Sequence, residues 1–142
     1  MNNKGLDLEA VSARFASGFP GVVGLRFMEW EEGRVVVGLR IETKHLNLGG
    51  TVHGGVLATL IDIAGACAGT YSPDPKVVRK ALTLSMTSTF TGQCTGGVIR
   101  AVGTLRGAGR RIYFSTVEIL DDQDNLIAMG EGTFRYRSEP TE

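Results

Sequence analysis

The chain has 142 residues, 42% of them hydrophobic, and its 15 Lys and Arg balance 15 Asp and Glu. That length suits one domain with a real core and leaves no room for a second, while zero net charge gives no electrostatic footprint for nucleic acid or an anionic membrane. Cys67 and Cys94 form no CxxC pair and no His stands at finger spacing, so neither a redox pair nor a zinc site is indicated and reduced thiols in a cytoplasmic protein are expected.

The opening residues lack the apolar core of a signal peptide. Residues 7–17 then begin with Asp7 as a cap and set Leu8, Val11 and Phe15 at helical spacing, until Gly18 and Pro20 end the run. Two β-rich runs follow, 22–30 and 34–42, joined at Glu31-Glu32-Gly33. In the second, Val35, Val37, Leu39 and Ile41 alternate with Arg34, Val36, Gly38 and Arg40, which predicts a hairpin with one buried face.

The stretch 45–69, HLNLGGTVHGGVLATLIDIAGACAG, is a glycine-rich lead-in to an apolar helix with a single charge, Asp62. It is short for a membrane span and interrupted by an acid, so a soluble protein is expected. At about 100° per residue, Gly55, Ala58, Thr59, Gly65, Ala66 and Gly69 fall within about 60° of Asp62, and the bulky residues fall elsewhere. A small-residue stripe admits another backbone or a ligand, and a carboxylate on a buried helix needs a partner or a task, which makes Asp62 the first candidate for chemistry. The plain reading is an acid held by neighbouring hydroxyls in a subunit contact.

Prolines on either side of Asp74 predict a loop, and from Val77 the pattern is strand only: about 79–91, 97–106, 111–120 and 125–136, the last three as a meander. One buried helix between a hairpin and a meander predicts an α+β domain whose antiparallel sheet curls around the helix. The uncovered strand surface then calls for a partner subunit.

The series His45-x-Asn47-x-x-Gly50-x-x-His53-Gly54-Gly55, followed by Leu60-x-Asp62-x-Ala64, resembles the PaaI-like group of hotdog-fold acyl-CoA thioesterases over about residues 20–137. The resemblance implies a leader helix over 1–20, a hotdog domain over 21–138 and a tail over 139–142. It also implies a dimer with a continuous sheet paired into a homotetramer, and hydrolysis of an acyl-CoA with no metal and no cofactor beyond the CoA of the substrate. Physically, free N–H groups of Gly54 and Gly55 at the positive end of the helix dipole would stabilise an oxyanion on a thioester carbonyl. Seven residues separate Gly55 from Asp62, roughly 10 Å along the axis, too far for both to serve one carbonyl carbon within a subunit. A neighbouring protomer must supply one of them.

By the same resemblance Asp62 is the catalytic carboxylate, a general base on water or a nucleophile forming an anhydride. Asn47 orients water or the thioester unless it is a plain turn residue, and Thr83 assists the carboxylate unless it merely faces the sheet. His53 either contacts the substrate or binds the lead-in loop. The cluster Arg106, Arg110 and Arg111 suits the phosphates of CoA or is a solvated hairpin tip, and Arg79 and Lys80 are weaker candidates of that kind. Relatives often carry an aromatic-x-Arg-Pro run where this chain has Phe90-Thr91-Gly92-Gln93-Cys94. The acyl group is expected to be aryl, arylacetyl or medium-chain; the other readings are a hotdog enoyl-CoA hydratase or dehydratase, and a non-catalytic acyl-CoA-binding module.

Overall fold

The computed structural model describes residues 6–138; the tail expected at 139–142 and the first five residues of the leader lie outside them. Helix α1 spans Leu8–Phe15, where the Asp7 carboxylate accepts from the amides of Glu9 and Ala10, as expected of an N-cap. A second short helix, α2, spans Phe19–Val23. This corrects the strand expected from residue 22. Pro20 has the fixed φ and missing donor that suit a first helical turn, and Gly24, at φ 90°, closes the helix with its amide on the Pro20 carbonyl.

Strands β1 (Arg26–Glu31) and β2 (Arg34–Arg40) form the expected hairpin. Its second strand, however, is buried on both faces: Val36 is 3% exposed although it alternates with Val35 and Val37. A bulge at Met28 shifts the register of the pair, and the Met28 side chain occupies the space over Gly38. After a 3₁₀ turn over Thr43–His45 comes the central helix α3, Gly54–Ala68, the apolar helix expected within 45–69. Then follow β3 (Ala81–Phe90), β4 (Val98–Ala108), β5 (Ile112–Leu120) and β6 (Leu126–Tyr136).

The six strands form one antiparallel sheet in the order β1-β2-β4-β5-β6-β3. The last three are the predicted meander, and β3 returns to the edge beside β6. The sheet curls around α3, whose Leu57, Leu60, Ile61, Ala64 and Cys67 pack on inward residues such as Val35, Ile99, Val117 and Ile127. At Gly103 of β4 a Cβ would run into the Ala64 carbonyl oxygen, so glycine there sets how closely helix and sheet approach.

Ring donors from three strands fix the far end of α3. The Tyr113 hydroxyl donates to the Ala66 carbonyl at 2.7 Å, the Trp30 indole N–H to the Cys67 carbonyl at 2.9 Å, and the Tyr136 hydroxyl to the Gly69 carbonyl at 2.8 Å. The last carbonyls of a helix lack i+4 amides, and here the rings add to the Gly69 and Thr70 groups that also donate to Ala66 and Cys67.

Candidate active site

The lead-in to α3 is held by two histidines with different tasks. His45 is buried, 2% exposed; its Nδ1 accepts from the Glu42 amide at 2.9 Å, and its Nε2 lies 2.7 Å from the Val23 carbonyl, to which it donates in that tautomer. It therefore ties the lead-in to α2. His53 is exposed and caps α3, its Nδ1 accepting from the Gly55 amide at 2.8 Å. The Nδ1 atom thus bonds the first turn of its own helix.

That bond changes the expected pair of free amides. The Gly55 N–H is taken up by His53, whereas the Gly54 N–H has no hydrogen-bond partner among the described residues. Asn47 closes a turn: its Oδ1 accepts from the Thr51 amide at 3.1 Å and its Nδ2 donates to the Thr51 hydroxyl at 3.0 Å. Asn47 and Gly54 line the same cleft of about 410 Å³, together with Phe90 and the residues that follow it through Cys94. The Phe90 ring lies over Gly54, where a Cβ would come within 3.4 Å of it.

Asp62 lies in the middle of α3, half-buried, and accepts a 2.5 Å hydrogen bond from the Thr83 hydroxyl. Thr83 is near the start of β3, whose other edge is unpaired. A charge-assisted bond of this length orients the carboxylate and satisfies one of its oxygens. Asp62 does not line the cleft that holds Asn47 and Gly54. Eight residues of helix separate it from Gly54, about 12 Å along the axis.

The basic cluster is at a third place. Arg106 donates from Nε to the Thr116 hydroxyl at 2.8 Å, and Arg110 and Arg111 are exposed at the β4–β5 tip. The Tyr136 amide donates to the Arg111 carbonyl while the Tyr136 hydroxyl reaches Gly69, so this tip sits near the far end of α3, away from Gly54. Within one chain the structure brings together Asp62 with Thr83, and Asn47 with Gly54, and keeps these two pairs apart from each other.

Neither cysteine is paired in a disulfide. Burial pushes the Cys67 thiol up to about 12, with the nearby Asp62 charge adding to the rise and the Thr70 hydrogen bond and Arg14 opposing it. A thiol so protonated is no nucleophile at neutral pH. Among the described residues no group of three or more His, Cys, Asp or Glu is arranged to hold a metal ion, and no helix is long and apolar enough to cross a membrane.

Sequence reasoning missed the three ring donors at the end of α3 and the hydrogen bond that occupies the Gly55 amide. Trp30, Tyr113 and Tyr136 stand in strand patterns that spell burial without naming the atom each ring will reach. The Gly55 bond had a signal, a side-chain acceptor at the position before a helix start, although His is an unusual cap.

Comparison with known proteins assigns the fold and the family. The model of the thioesterase superfamily matches residues 49–128, which include both polar pairs except Asn47. A provisionally named esterase of Pseudomonas aeruginosa is 34% identical over 102 residues, covering 71% of this chain and 74% of that one. Among solved structures, zebra fish thioesterase superfamily member 2 superposes with a TM-score of 0.76 at 28% identity, covering 92% of this chain and 98% of that one. A variant of the phenylacetic acid degradation protein PaaI from Thermus thermophilus gives 0.70 at 28% identity, covering 81% and 95%. The chain belongs to the thioesterase superfamily, and its curled six-stranded sheet around α3 is a hotdog fold serving a thioester hydrolase.

Proposed function

We propose that the protein is an acyl-CoA thioesterase of the PaaI-like group, acting as a dimer, paired into a tetramer, with each site shared between two protomers. The observation that carries this reading is the Thr83 hydroxyl on the Asp62 carboxylate, about 12 Å along α3 from an unoccupied Gly54 amide. Both polar groups suit one thioester and neither reaches the other within a chain. Two copies of α3 packed antiparallel on their small-residue faces would set Gly54 of one protomer beside the carboxylate of the other. The free edge of β3 offers the means, since a second copy pairing there continues the sheet.

In this site the Gly54 N–H, at the positive end of the helix, donates to the thioester carbonyl oxygen. Gly55, with its amide held by His53, contributes the lack of a side chain that lets the substrate approach. Thr83 occupies one Asp62 oxygen and leaves the other to take a proton from water, which favours the general base over the anhydride-forming nucleophile. The water oxygen bonds to the carbonyl carbon, the tetrahedral oxyanion collapses, the C–S bond breaks, and the proton passes from Asp62 to the CoA sulfur. Asn47, beside Gly54 in the same cleft, orients the thioester or water once its turn bonds to Thr51 give way. Arg110 and Arg111 are without ion-pair partners among the described residues and suit the CoA phosphates, with Arg106 beneath them. No cofactor or metal is needed for these steps, and the acyl group is aryl, arylacetyl or medium-chain.

The test is a panel of acyl-CoA thioesters followed by release of free thiol. Hydrolysis of saturated and aryl thioesters supports the reading. Consumption of enoyl-CoA without thiol release would assign a hydratase, and binding without turnover a carrier module.

A further inference from the structure

A second cavity, of about 560 Å³, lies along the last turns of α3. Its floor is apolar, formed by Phe15, Cys67, Val78 and Ala81. Its remaining walls carry four cations, Arg14, Arg79, Lys80 and Arg137, and no acid. They come from distant parts of the sequence: the last turn of α1, the segment before β3 and the residue after β6. The ion pairs among the described residues are Arg34 with Glu29 and Arg100 with Asp124, so none of the four is paired with a described acid. Arg79 stacks on the Tyr136 ring at 4.5 Å and Arg14 lies 5.9 Å over Phe15, contacts that orient the guanidinium groups and leave their charge intact. Asp74 lines a small neighbouring cleft with Arg14 and Arg79 but forms a salt bridge with neither.

Like charges around one concavity repel each other and focus a positive potential into it, which only an anion relieves. The negative end of the α3 dipole accounts for a cation or two nearby. It does not account for an apolar floor between them. A floor without polar groups beneath a cationic wall matches a molecule that is apolar along its length and anionic at its end. The diphosphate and nucleotide of CoA, polar throughout, would leave that floor unused. Position agrees: Ala66 in the cavity wall is one turn beyond Asp62 on α3, and Cys67 and Thr70 of the lining follow it.

We infer that this cavity binds the acyl group and selects acyl chains ending in a carboxylate, with Arg14, Arg79, Lys80 and Arg137 as the specificity-determining residues. The inference rests on the thioesterase reading above, since it takes the thioester carbonyl to lie at Asp62. The three guanidinium forks in the wall can each meet a carboxylate through paired hydrogen bonds.

The test compares suberyl-CoA with octanoyl-CoA, equal in length and differing in the terminal carboxylate. Affinity is measured by titration calorimetry on Asp62→Asn, so that it does not depend on turnover, and kcat/KM on the wild type. Suberyl-CoA is expected to bind about tenfold more tightly. The Arg14→Gln/Lys80→Gln variant and, separately, Arg137→Gln should lower that ratio, with unchanged far-UV circular dichroism. The same preference should persist in the pantetheine thioesters, which lack the nucleotide phosphates. Equal affinities, a ratio indifferent to the substitutions, or a preference lost in the pantetheine series would overturn the inference, the last by assigning the cations to CoA. A preference in binding without thiol release from any thioester would leave this inference standing and contradict the thioesterase reading.

Discussion

The two ends of α3 are held in opposite ways. The far end is bolted to the sheet: three carbonyls, of Ala66, Cys67 and Gly69, accept from rings on β5, β1 and β6, and Tyr113 is fully buried. The near end is held by its own neighbours, with His53 capping Gly55, Asn47 bonded to Thr51, and the Gly54 amide left open beside a cleft. A helix anchored at one end can present polar groups at the other without needing them for its stability. Asp62 stands between these regimes, on a helix fixed by the core, its carboxylate bonded among the described residues to Thr83.

The largest effect should come from the boundary residue. Asp62→Asn is expected to lower kcat by about 10²–10⁴, the range for losing a positioned general base, with little change in melting temperature. Near-normal thiol release would remove Asp62 from the chemistry. Thr83→Val should lower kcat by about 10–100-fold, since the hydroxyl only orients the carboxylate, and Thr83→Ser should restore most of it. Equal losses in Val and Ser variants would mean that shape at β3, not the hydroxyl, is what matters.

The contrast itself is sharpened by a pair of stability measurements. Tyr113→Phe removes the shortest hydrogen bond to the Ala66 carbonyl, which keeps the Gly69 amide and the Thr70 hydroxyl, and should cost about 1–1.5 kcal/mol. His53→Ala should cost about 0.5–1 kcal/mol, because its cap is exposed and water replaces it. Urea denaturation of both variants decides the order; a larger loss at His53 would invert the comparison. The smallest effect concerns pH. Cys67 ionises near 12 in the folded chain and at the ordinary thiol value once unfolded. Its contribution is therefore complete below the unfolded value and fades as pH rises through the folded one. Cys67→Ala should flatten the loss of stability above about pH 9, and thiol reagents should label Cys67 only on unfolding.

Much of this was legible from the residues. The bounds of α3 were readable because an apolar run follows a glycine-rich one, and Asp62 because it is the one charge on that run. The meander was readable because Gly107 to Gly109 and Asp121 to Asn125 punctuate it. Helix α2 was not, since Val22 and Val23 are β-branched and Pro20 reads as a stop as easily as a start. The burial of Val36 and the bulge at Met28 are not revealed by alternation either. At the site, the hydrogen bond between Thr83 and Asp62 joins residues 21 apart, and the cations at 14, 79, 80 and 137 meet only once β3 has returned beside β6.

The central claim, that one site takes its amide from one protomer and its carboxylate from another, is tested by mixing two inactive variants. Gly54→Pro deletes the amide and sets its ring against Phe90 while keeping the helix start, since proline suits the first helical position and His53, at φ −64° and ψ 136°, already has the conformation favoured before proline. The partner in the mixture is Asp62→Asn. Random exchange of protomers should restore about a quarter of wild-type activity, because half the dimers are mixed and each mixed dimer holds one intact site of two. No recovery after exchange confirmed by mass spectrometry would place the amide and the carboxylate of each site in the same chain and contradict the account.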